Sequence, residues 1–379
     1  MLIKEVIARK IPDSRGDLTI EVSVNGQSAS APAGKSVGKY ETSSYYDSLD
    51  WNIKFLNDAN FYGMQINNFN DLLLLESAIK SKGKFENPKK FGANALFALE
   101  TAVLKSCAFS QKKQLWEIIN PKAKRFPIPL GNVVEGGLHA QNELRPDFQE
   151  FWIIPQEKSF SKNVSLMREI YNKLKKILNA TSITDEGAWQ VSMSDEEVLG
   201  ALSQFKRIKL GADIAASSFY KNNHYLYKDK TLTSEFQILY INDLIKKYNL
   251  FCTEDPLQEE DFQGFAKIKR TNSTFIIGDD LTATQPERLI KAIKNKSINA
   301  MIIKPNQNGS LLEVAKIFEI CKKNKIKTIL SHRSGETLEN SLADLAFAFE
   351  ADFFKAGVAT KWREAKLNRM IQIENEKNH

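Results

Sequence analysis

Acidic and basic residues recur at the ends of short apolar runs in the second half of the chain. Three successive runs end in an acid, namely Asp213, Glu254 and Asp279, and two later runs end in Lys304 and Lys355. Carboxylate oxygens suit Mg²⁺, whereas three neighbouring anions without a cation would raise one another's pKa. The pattern therefore predicts a magnesium site beside two lysines, although each residue taken alone could be a solvated loop residue.

Lys304 is the residue whose position suggests proton transfer. The ordinary pKa of a lysine is about 10.4, and a nearby divalent cation together with desolvation favours the neutral amine. A neutral amine can remove a proton next to a carboxylate whose second negative charge rests on the metal. His332 and Arg333 follow another apolar run between the two lysines, so we expect them at the same site.

The spacing of these residues predicts the elements that position them. The ends of successive runs are separated by 41, 25, 25, 28 and 23 residues, and a strand, a helix and two short loops need about 25–40 residues. Apolar residues at helical spacing occupy the intervals 286–296, 311–323 and 338–349. Six consecutive βα units with polar strand ends indicate a TIM-like barrel, because an open sheet would gather functional groups near one switch point.

The first third of the chain has a different pattern. Segments 2–11 and 18–24 are rich in strand-forming residues, and Asn25-Gly26 is a hairpin turn signal. From about residue 51 to residue 120, apolar residues recur at intervals of three and four. We predict an N-terminal α+β domain over residues 1–125 and a barrel domain over 126–379, with the boundary near Pro127 and Pro129.

Composition excludes several classes of function. The net charge is +7, from 53 basic and 46 acidic residues, but the lysines are scattered, so we expect no nucleic-acid partner. No run approaches the roughly 18–20 apolar residues of a membrane span, and Lys4 and Glu5 interrupt any signal peptide. Three widely spaced cysteines form neither a disulfide framework nor a zinc motif. These features predict a soluble, cytoplasmic protein with no membrane partner.

Gly34-Lys35-Ser36 invites comparison with a phosphate-binding loop. That motif requires a glycine five positions before its Gly-Lys-Ser segment, and Ala29 stands there. The sequence therefore argues against a nucleotide hydrolase.

The chain resembles the enolase (phosphopyruvate hydratase) family along its whole length, with the motifs in family order. The matching segments are Asp13-Ser14-Arg15-Gly16, Gly92-Ala93-Asn94-Ala95, Gly136-Gly137-Leu138-His139-Ala140, Gln149-Glu150-Phe151, Asp185-Glu186-Gly187, Asp213-Ile214-Ala215-Ala216-Ser217, Glu254-Asp255-Pro256, Gly278-Asp279-Asp280-Leu281, Lys304-Pro305-Asn306-Gln307 and Ser331-His332-Arg333-Ser334-Gly335-Glu336-Thr337. The last segment is the most specific.

The resemblance implies a modified (β/α)8 barrel with a smaller N-terminal α+β domain, two Mg²⁺ ions, a homodimer or larger ring, and a phosphorylated hydroxy acid, 2-phosphoglycerate, as substrate. It also implies residue roles. The metal ligands would be Asp213, Glu254, Asp279 and Ser36; the catalytic residues Lys304 (base), Glu186 (acid), Glu150 and His332; and the substrate-binding residues His139, Arg333, Ser334, Lys355 and Lys35.

Three loops depart from the family pattern. Residues 33–38 carry the extra cation Lys35, residues 184–190 contain Ala188 and Trp189-Gln190, and about two residues are inserted near 144–147. An ordinary but divergent enolase accounts for these changes, since loops vary more readily than scaffolds. Two alternatives stay open, namely an enolase-like dehydratase acting on a different phospho- or phosphono-hydroxy acid, and a noncatalytic scaffold that retains the fold.

Overall fold

The N-terminal part of the computed structural model is a three-stranded antiparallel sheet covered by helices. The structure describes residues 1–34, 38–269 and 274–378. The N-terminal elements are β1 (Val6–Pro12), β2 (Leu18–Val24), β3 (Gln27–Ser30), α1 (Leu49–Asp58), α2 (Leu72–Gly83), α3 (Ala93–Ser110) and α4 (Leu115–Ile119), with short 3₁₀ turns at Phe69–Asp71 and Pro88–Phe91.

The predicted hairpin and helices are present in this domain. Asn25 and Gly26 have φ values of 49° and 81°, as a tight hairpin turn requires. The first strand begins at Val6 rather than Leu2, which makes only an isolated bridge to Gln65. The strongly apolar α3 packs against β2 and β3 and is buried along most of its length.

The remaining elements form the second domain. They are β4 (Ile128–Glu135), β5 (Glu150–Pro155), α5 (Phe160–Ile177), β6 (Ser182–Ile183), β7 (Trp189–Gln190), α6 (Asp195–Leu202), β8 (Ile208–Asp213), β9 (Tyr220–Lys221), β10 (His224–Leu226), β11 (Thr231–Leu232), α7 (Ser234–Tyr248), β12 (Cys252–Glu254), α8 (Phe262–Lys267), β13 (Phe275–Gly278), α9 (Pro286–Lys294), β14 (Ala300–Ile303), α10 (Pro305–Asn308), α11 (Leu311–Lys323), β15 (Lys327–Ser331), α12 (Ser341–Ala348), β16 (Phe353–Lys355) and α13 (Lys361–Asn378), with a 3₁₀ turn at Ala216–Phe219.

Eight of these strands close into a barrel, which confirms the predicted fold class. The strand order is β4-β5-β8-β12-β13-β14-β15-β16, and β16 pairs with β4 to close the ring. Strand β5 is antiparallel to both neighbours, whereas the other neighbouring pairs are parallel. The first residue of β5 therefore lies at the same end of the barrel as the last residues of the other strands.

Period-two alternation along the strands explains how apolar runs lead into polar ends. Below the mouth, the barrel is filled by Leu130, Trp152, Ile154, Cys252, Ile277, Ala300, Ile302, Ile329 and Phe353. Residues two positions apart face the same side of a strand. Thus Glu254 lies above Cys252, and Lys355 lies above Phe353. Cys107, Cys252 and Cys321 are buried and unpaired, as expected for apolar filling.

The N-terminal domain contacts the loop that follows β15. The backbone N–H of Ser14 donates to Glu336 O at 2.7 Å, and Ala33 and Gly335 exchange two backbone hydrogen bonds. A Cβ at Gly335 would lie 2.0 Å from Asp13 Oδ2 and 2.9 Å from Ala33 O, so only glycine fits there. The Asp-Ser-Arg-Gly motif thus fixes the barrel loop.

None of the helices in the described ranges has the length and apolarity needed to span a bilayer.

Candidate active site

A cavity of about 330 Å³ lies at the mouth of the barrel. The predicted site residues that line it are His139, Glu150, Glu186, Asp213, Glu254, Asp279, Lys304, His332, Arg333, Ser334 and Lys355. Lys35 and Ser36 lie outside the described residues. A larger cavity, of about 940 Å³, lies near the opposite ends of the strands beside α11 and holds none of the predicted residues.

Lys355 joins two acids at the floor of this cavity. Its Nζ lies 2.9 Å from Glu150 Oε2 and 3.2 Å from Glu254 Oε2, and all three side chains are almost fully buried. Burial alone would lower the pKa of Lys355, but the two carboxylates raise it well above its ordinary value. Burial would likewise raise the pKa of Glu150, yet Lys355 and His139 bring it below normal. Lys355 and Glu150 are therefore a buried ion pair.

Lys304 pairs with Asp279 on the neighbouring strand end. The Lys304 Nζ donates to Asp279 Oδ2, and Gln307 Nε2 lies 3.5 Å from Asp279 Oδ1. Burial acts to lower the pKa of Lys304, but Asp279 outweighs it and raises the pKa above the usual value. With this partner, the amine is held as an ammonium.

Asp255 supports the turn that carries Asp279. Its two carboxylate oxygens accept the backbone N–H groups of Asp279 and Asp280 at 3.0 and 2.6 Å. Carboxylate oxygens of Asp255, Asp279 and Asp280 lie within 4.8 Å of one another. Since both Asp255 oxygens already accept hydrogen bonds, we interpret Asp255 as orienting Asp279 rather than as a ligand.

Asp213, Glu254 and Asp279 line the same cavity, but among the described residues their oxygens are not gathered within 4.8 Å of one another as those of Asp255, Asp279 and Asp280 are. Burial raises the pKa of Asp213 to about 6, with Lys355 opposing and Glu150 and Asp279 adding to the shift. Burial, followed by the charge of Asp213, raises the pKa of Glu254 well above normal. The pKa shifts of Asp213 and Glu254 reflect the repulsion between neighbouring buried carboxylates, which a divalent cation would relieve. An oxygen-only donor set of this kind suits Mg²⁺.

Glu186 lies between two histidines. Its Oε2 is 3.4 Å from His332 Nε2, and its Oε1 is 3.9 Å from His139 Nδ1. Burial and the charges of Glu135 and Glu150 raise the pKa of Glu186 to about 7. Burial and neighbouring cations lower the pKa of His332 well below normal, so this ring is neutral. The arrangement places inside the cavity a carboxyl group whose pKa lies near neutral pH, so that a fraction of it is protonated there.

The loop that carries Glu186 is one of the three off-pattern segments, and the structure shows what fixes it. Tyr171 OH donates to Gly187 O at 2.6 Å, and Trp189 Nε1 donates to Tyr171 O at 2.9 Å. The Tyr171 and Trp189 rings stack with centroids 4.9 Å apart. Trp189 therefore anchors the loop against α5.

The segment near residues 144–147, where we expect an insertion, folds back onto the glycine pair before His139. Arg145 Nε donates to Gly137 O, and the Gly137 N–H donates to Pro146 O, at 2.7 and 2.9 Å. A Cβ at Gly136 would lie 2.5 Å from Pro146 O. This segment thus supports the turn that carries His139 into the cavity.

Arg333 and Ser334 form a cationic corner at the edge of the cavity. Arg333 donates to both Glu41 carboxylate oxygens, at 3.1 and 2.8 Å, and to Asn306 Oδ1 at 3.2 Å. Arg15 Nη1 donates to Ser334 Oγ at 3.2 Å. Guanidinium and hydroxyl groups together recognise phosphate oxygens well, so the corner suits a phosphorylated ligand.

Sequence reasoning missed several residues at this site, among them Arg15, Glu41, Glu135 and Asp255. Like the strand-end acids that the sequence analysis identified, Glu135 is the last residue of an apolar strand. Asp255 directly follows a strand-end acid. Glu41 and Arg15 lie far from their partners along the chain, and only the docking of the two domains reveals them.

Comparison with known proteins identifies the family. Residues 3–119 match the family model described as "Enolase, N-terminal domain", and residues 123–379 match "Enolase, C-terminal TIM barrel domain". The chain is 35% identical to the enolase of Archaeoglobus fulgidus, covering 99% of this chain and 97% of that protein. It is 35% identical to the enolase of Elusimicrobium minutum, covering 99% and 96% respectively.

The similarity extends to the enolase of Thermoplasma acidophilum, at 34% identity over 98% of both chains. Both domains of the family are thus matched, in order, over almost the whole sequence. The closed barrel and the residues gathered at its mouth agree with that assignment. This chain belongs to the enolase family of lyases.

Proposed function

We propose that this protein catalyses the reversible, Mg²⁺-dependent dehydration of 2-phosphoglycerate to phosphoenolpyruvate. The observation that supports it most is that one cavity holds a lysine, three acids and a buried glutamate whose pKa is raised to about 7. Removal of a proton next to a carboxylate and loss of a hydroxyl group need one group that accepts a proton and another that donates one.

The three strand-end acids are assigned to metal binding in this proposal. Asp213, Glu254 and Asp279 would hold the first Mg²⁺, and Ser36, outside the described residues, would be a ligand of the second. When bound, the cations stabilise the extra negative charge that develops on the substrate carboxylate. The Lys304 ammonium and a bound metal would compete for the Asp279 carboxylate. A bound metal would therefore draw the Asp279 carboxylate away from the Lys304 ammonium, and the neutral amine would then be favoured.

The residues around the substrate divide the chemistry between them. Lys304, as the neutral amine, takes the proton from C2 of the substrate. Glu186 donates its proton to the departing C3 hydroxyl group, which leaves as water, and Glu150 assists it. The pKa of Glu186 near 7 keeps a substantial protonated fraction at neutral pH.

Charged groups at the cavity edge hold the rest of the substrate. Arg333 and Ser334 bind the phosphate, Lys355 lies on the carboxylate side, and His139 and His332 line the pocket. Lys35 would add a further cation near the substrate. Arg333 must exchange its contact with Glu41, at least in part, for a contact with the phosphate.

The test is an assay of the purified protein with Mg²⁺ and 2-phosphoglycerate, recording the absorbance of phosphoenolpyruvate. We expect turnover that disappears on chelation and returns with Mg²⁺. Turnover of a phosphonate or a bulkier phosphorylated hydroxy acid, with none of 2-phosphoglycerate, would instead support the altered-substrate alternative. A comparison of wild type with Lys35→Ala on both substrates would then show whether the extra cation selects the ligand.

Calorimetric titration with Mg²⁺ tests the metal assignment and the scaffold alternative together. Binding should be lost in Asp213→Asn, Glu254→Gln and Asp279→Asn, and retained in Asp243→Asn, a control at an exposed acid of α7. Equal binding in all four variants would place the metal elsewhere. The two-ion stoichiometry, the homodimer or larger ring, the cytoplasmic location and the domain boundary after residue 125 stay predictions.

A further inference from the structure

A fully buried carboxylate, Glu135, lies next to the groups that handle the proton on the leaving-group side. Glu135 is the last residue of β4 and is 0% exposed. It pairs in register with Glu150 on β5 and with Gln190 on β7, the two strands that flank it. Its side chain therefore lies next to His139, which lines the cavity, between the strand that carries Glu150 and the loop that carries Glu186.

Among the described residues, His139 is the cationic group that contacts Glu135. Asn132 Nδ2 donates to Glu135 Oε1, and His139 Nδ1 lies 3.5 Å from the same oxygen. The other oxygen, Oε2, is buried without a hydrogen-bond partner among the described residues. A buried carboxylate with so few donors depends on a nearby positive charge, and His139 is placed to supply it.

His139 also reaches Glu186. The same Nδ1 lies 3.9 Å from Glu186 Oε1, so the imidazole stands between a structural acid and the proposed catalytic acid. Atoms of Glu135, His139, Glu150 and Glu186 come within 4.8 Å of one another. The His139 ring therefore lies close to two carboxylates, Glu135 of β4 and Glu186 of the loop between β6 and β7.

We propose that Glu135 is a positioning residue that holds His139 as an imidazolium against Glu186 and keeps a proton on this cluster. The inference rests on the proposed function only where it concerns catalysis. Its physical basis is that a fixed negative charge raises the apparent pKa of every neighbouring acid and imidazolium.

The charges that surround the cluster are consistent with this role. Burial acts to lower the pKa of His139, but Glu135, Glu186 and Glu150 raise it to about 9. The titratable or charged groups that act on Glu186 or His139 are Glu135 of β4, Glu150 of β5, His332 after β15 and Arg363 of α13, while Tyr171 of α5 acts on Glu135 and Lys355 of β16 on Glu150. Only Glu135 among them is an acid without an assigned role.

The first test is an NMR titration of the histidine rings in the ligand-free protein. The chain has four histidines, and the spectrum of His139→Gln identifies the signal of His139. In wild type we expect His139 to titrate near pH 9. In Glu135→Gln, which keeps the shape and removes the charge, its pKa should fall by about one unit or more. An unchanged His139 titration would overturn the proposal.

The control is Glu143→Gln, which removes an exposed acid from the loop that follows His139. It should leave both the His139 titration and the activity unchanged. Glu135→Asp retains the charge at a greater distance, so the His139 pKa should fall less than in Glu135→Gln. If Glu135→Gln does not fold, Glu135→Ala, which also removes the charge, takes its place, and an unchanged His139 pKa there overturns the proposal.

The second test is the pH dependence of turnover. Because loss of a negative charge lowers all the apparent pKa values of a coupled cluster, the fall in activity at high pH should begin about one unit lower in Glu135→Gln. A purely structural role would reduce activity equally at every pH and contradict the proposal. Wild type without turnover of 2-phosphoglycerate would refute the proposed function alone, since the NMR titration would still decide the role of Glu135.

Discussion

Lys304 and Asp279 form a buried ion pair between the ends of two adjacent barrel strands. Lys304 follows β14 and Asp279 follows β13, so the proposed base and a predicted metal ligand share one hydrogen bond. A metal bound to Asp279 competes directly with the ammonium for this carboxylate. The proposal therefore predicts that metal binding at Asp279 and the protonation of Lys304 are linked.

Glu186→Gln should separate the two proposed steps of the reaction. The amide cannot donate the proton that the leaving hydroxyl group needs, so dehydration should fall by about 10²–10⁴-fold. Exchange of the C2 hydrogen should persist, because it depends on Lys304. Phosphoenolpyruvate absorbance measures the first step and NMR in D₂O the second. Equal loss of both would contradict separate roles for Lys304 and Glu186.

The pH dependence of turnover should report the protonation of Glu186. Burial raises the pKa of this acid to about 7, and the donating form is the protonated one. The value of kcat/KM for dehydration should therefore decline as pH rises through about 7, while acid pH leaves Glu186 protonated. A profile of kcat/KM against pH in Mg²⁺ measures this. A decline that persists unchanged in Glu186→Gln would show that another group causes it.

Lys355→Met should destabilise the fold as well as the site. The substitution leaves Glu150 and Glu254 buried without their shared cation, and breaking a buried pair on one side costs about 3–5 kcal/mol. Urea denaturation in the absence of Mg²⁺ measures the free energy of unfolding. Lys361→Met, at an exposed position of α13, is the control and should change it little. A similar small change in Lys355→Met would contradict the proposed electrostatic role.

Gly335→Ala should weaken the contact between the two domains. The added methyl group would meet Asp13 Oδ2 and Ala33 O at 2.0 and 2.9 Å, which forces the Arg333–Ser334 loop or the N-terminal hairpin to move. We expect a loss of about 2 kcal/mol or more in the free energy of unfolding, together with a raised KM.

Gly200→Ala is the matched control for that substitution. A Cβ at Gly200, within α6, meets nothing within 4 Å, and alanine in a helix should stabilise the fold by about 0.5–1 kcal/mol. If Gly335→Ala proved as stable as wild type and kept its KM, the tight domain contact would not be needed to place Arg333.

The barrel and much of its mouth follow from the sequence because strand ends in a parallel barrel must meet. Asp213, Glu254 and Asp279 needed only their spacing to be grouped. This reasoning does not identify Glu150, because Glu150 begins an antiparallel strand rather than ending a parallel one. Only the family motif assigned it to the site.

Other parts of the site depend on contacts between distant segments. Glu41 meets Arg333 across 292 residues, and Arg15 meets Ser334 across 319 residues. No local pattern encodes such pairs. Glu135 differs, because its strand-end position was visible, but its link through His139 to Glu186 depends on how β4 and the Glu186 loop pack together.

Hydrogen exchange at C2 of 2-phosphoglycerate in D₂O, compared between wild type and Lys304→Ala, tests the central claim most directly. With Mg²⁺ present, wild type should exchange this hydrogen, and Lys304→Ala should lose exchange while keeping its thermal unfolding profile. Exchange at the wild-type rate in Lys304→Ala would contradict the assignment of Lys304 as the base.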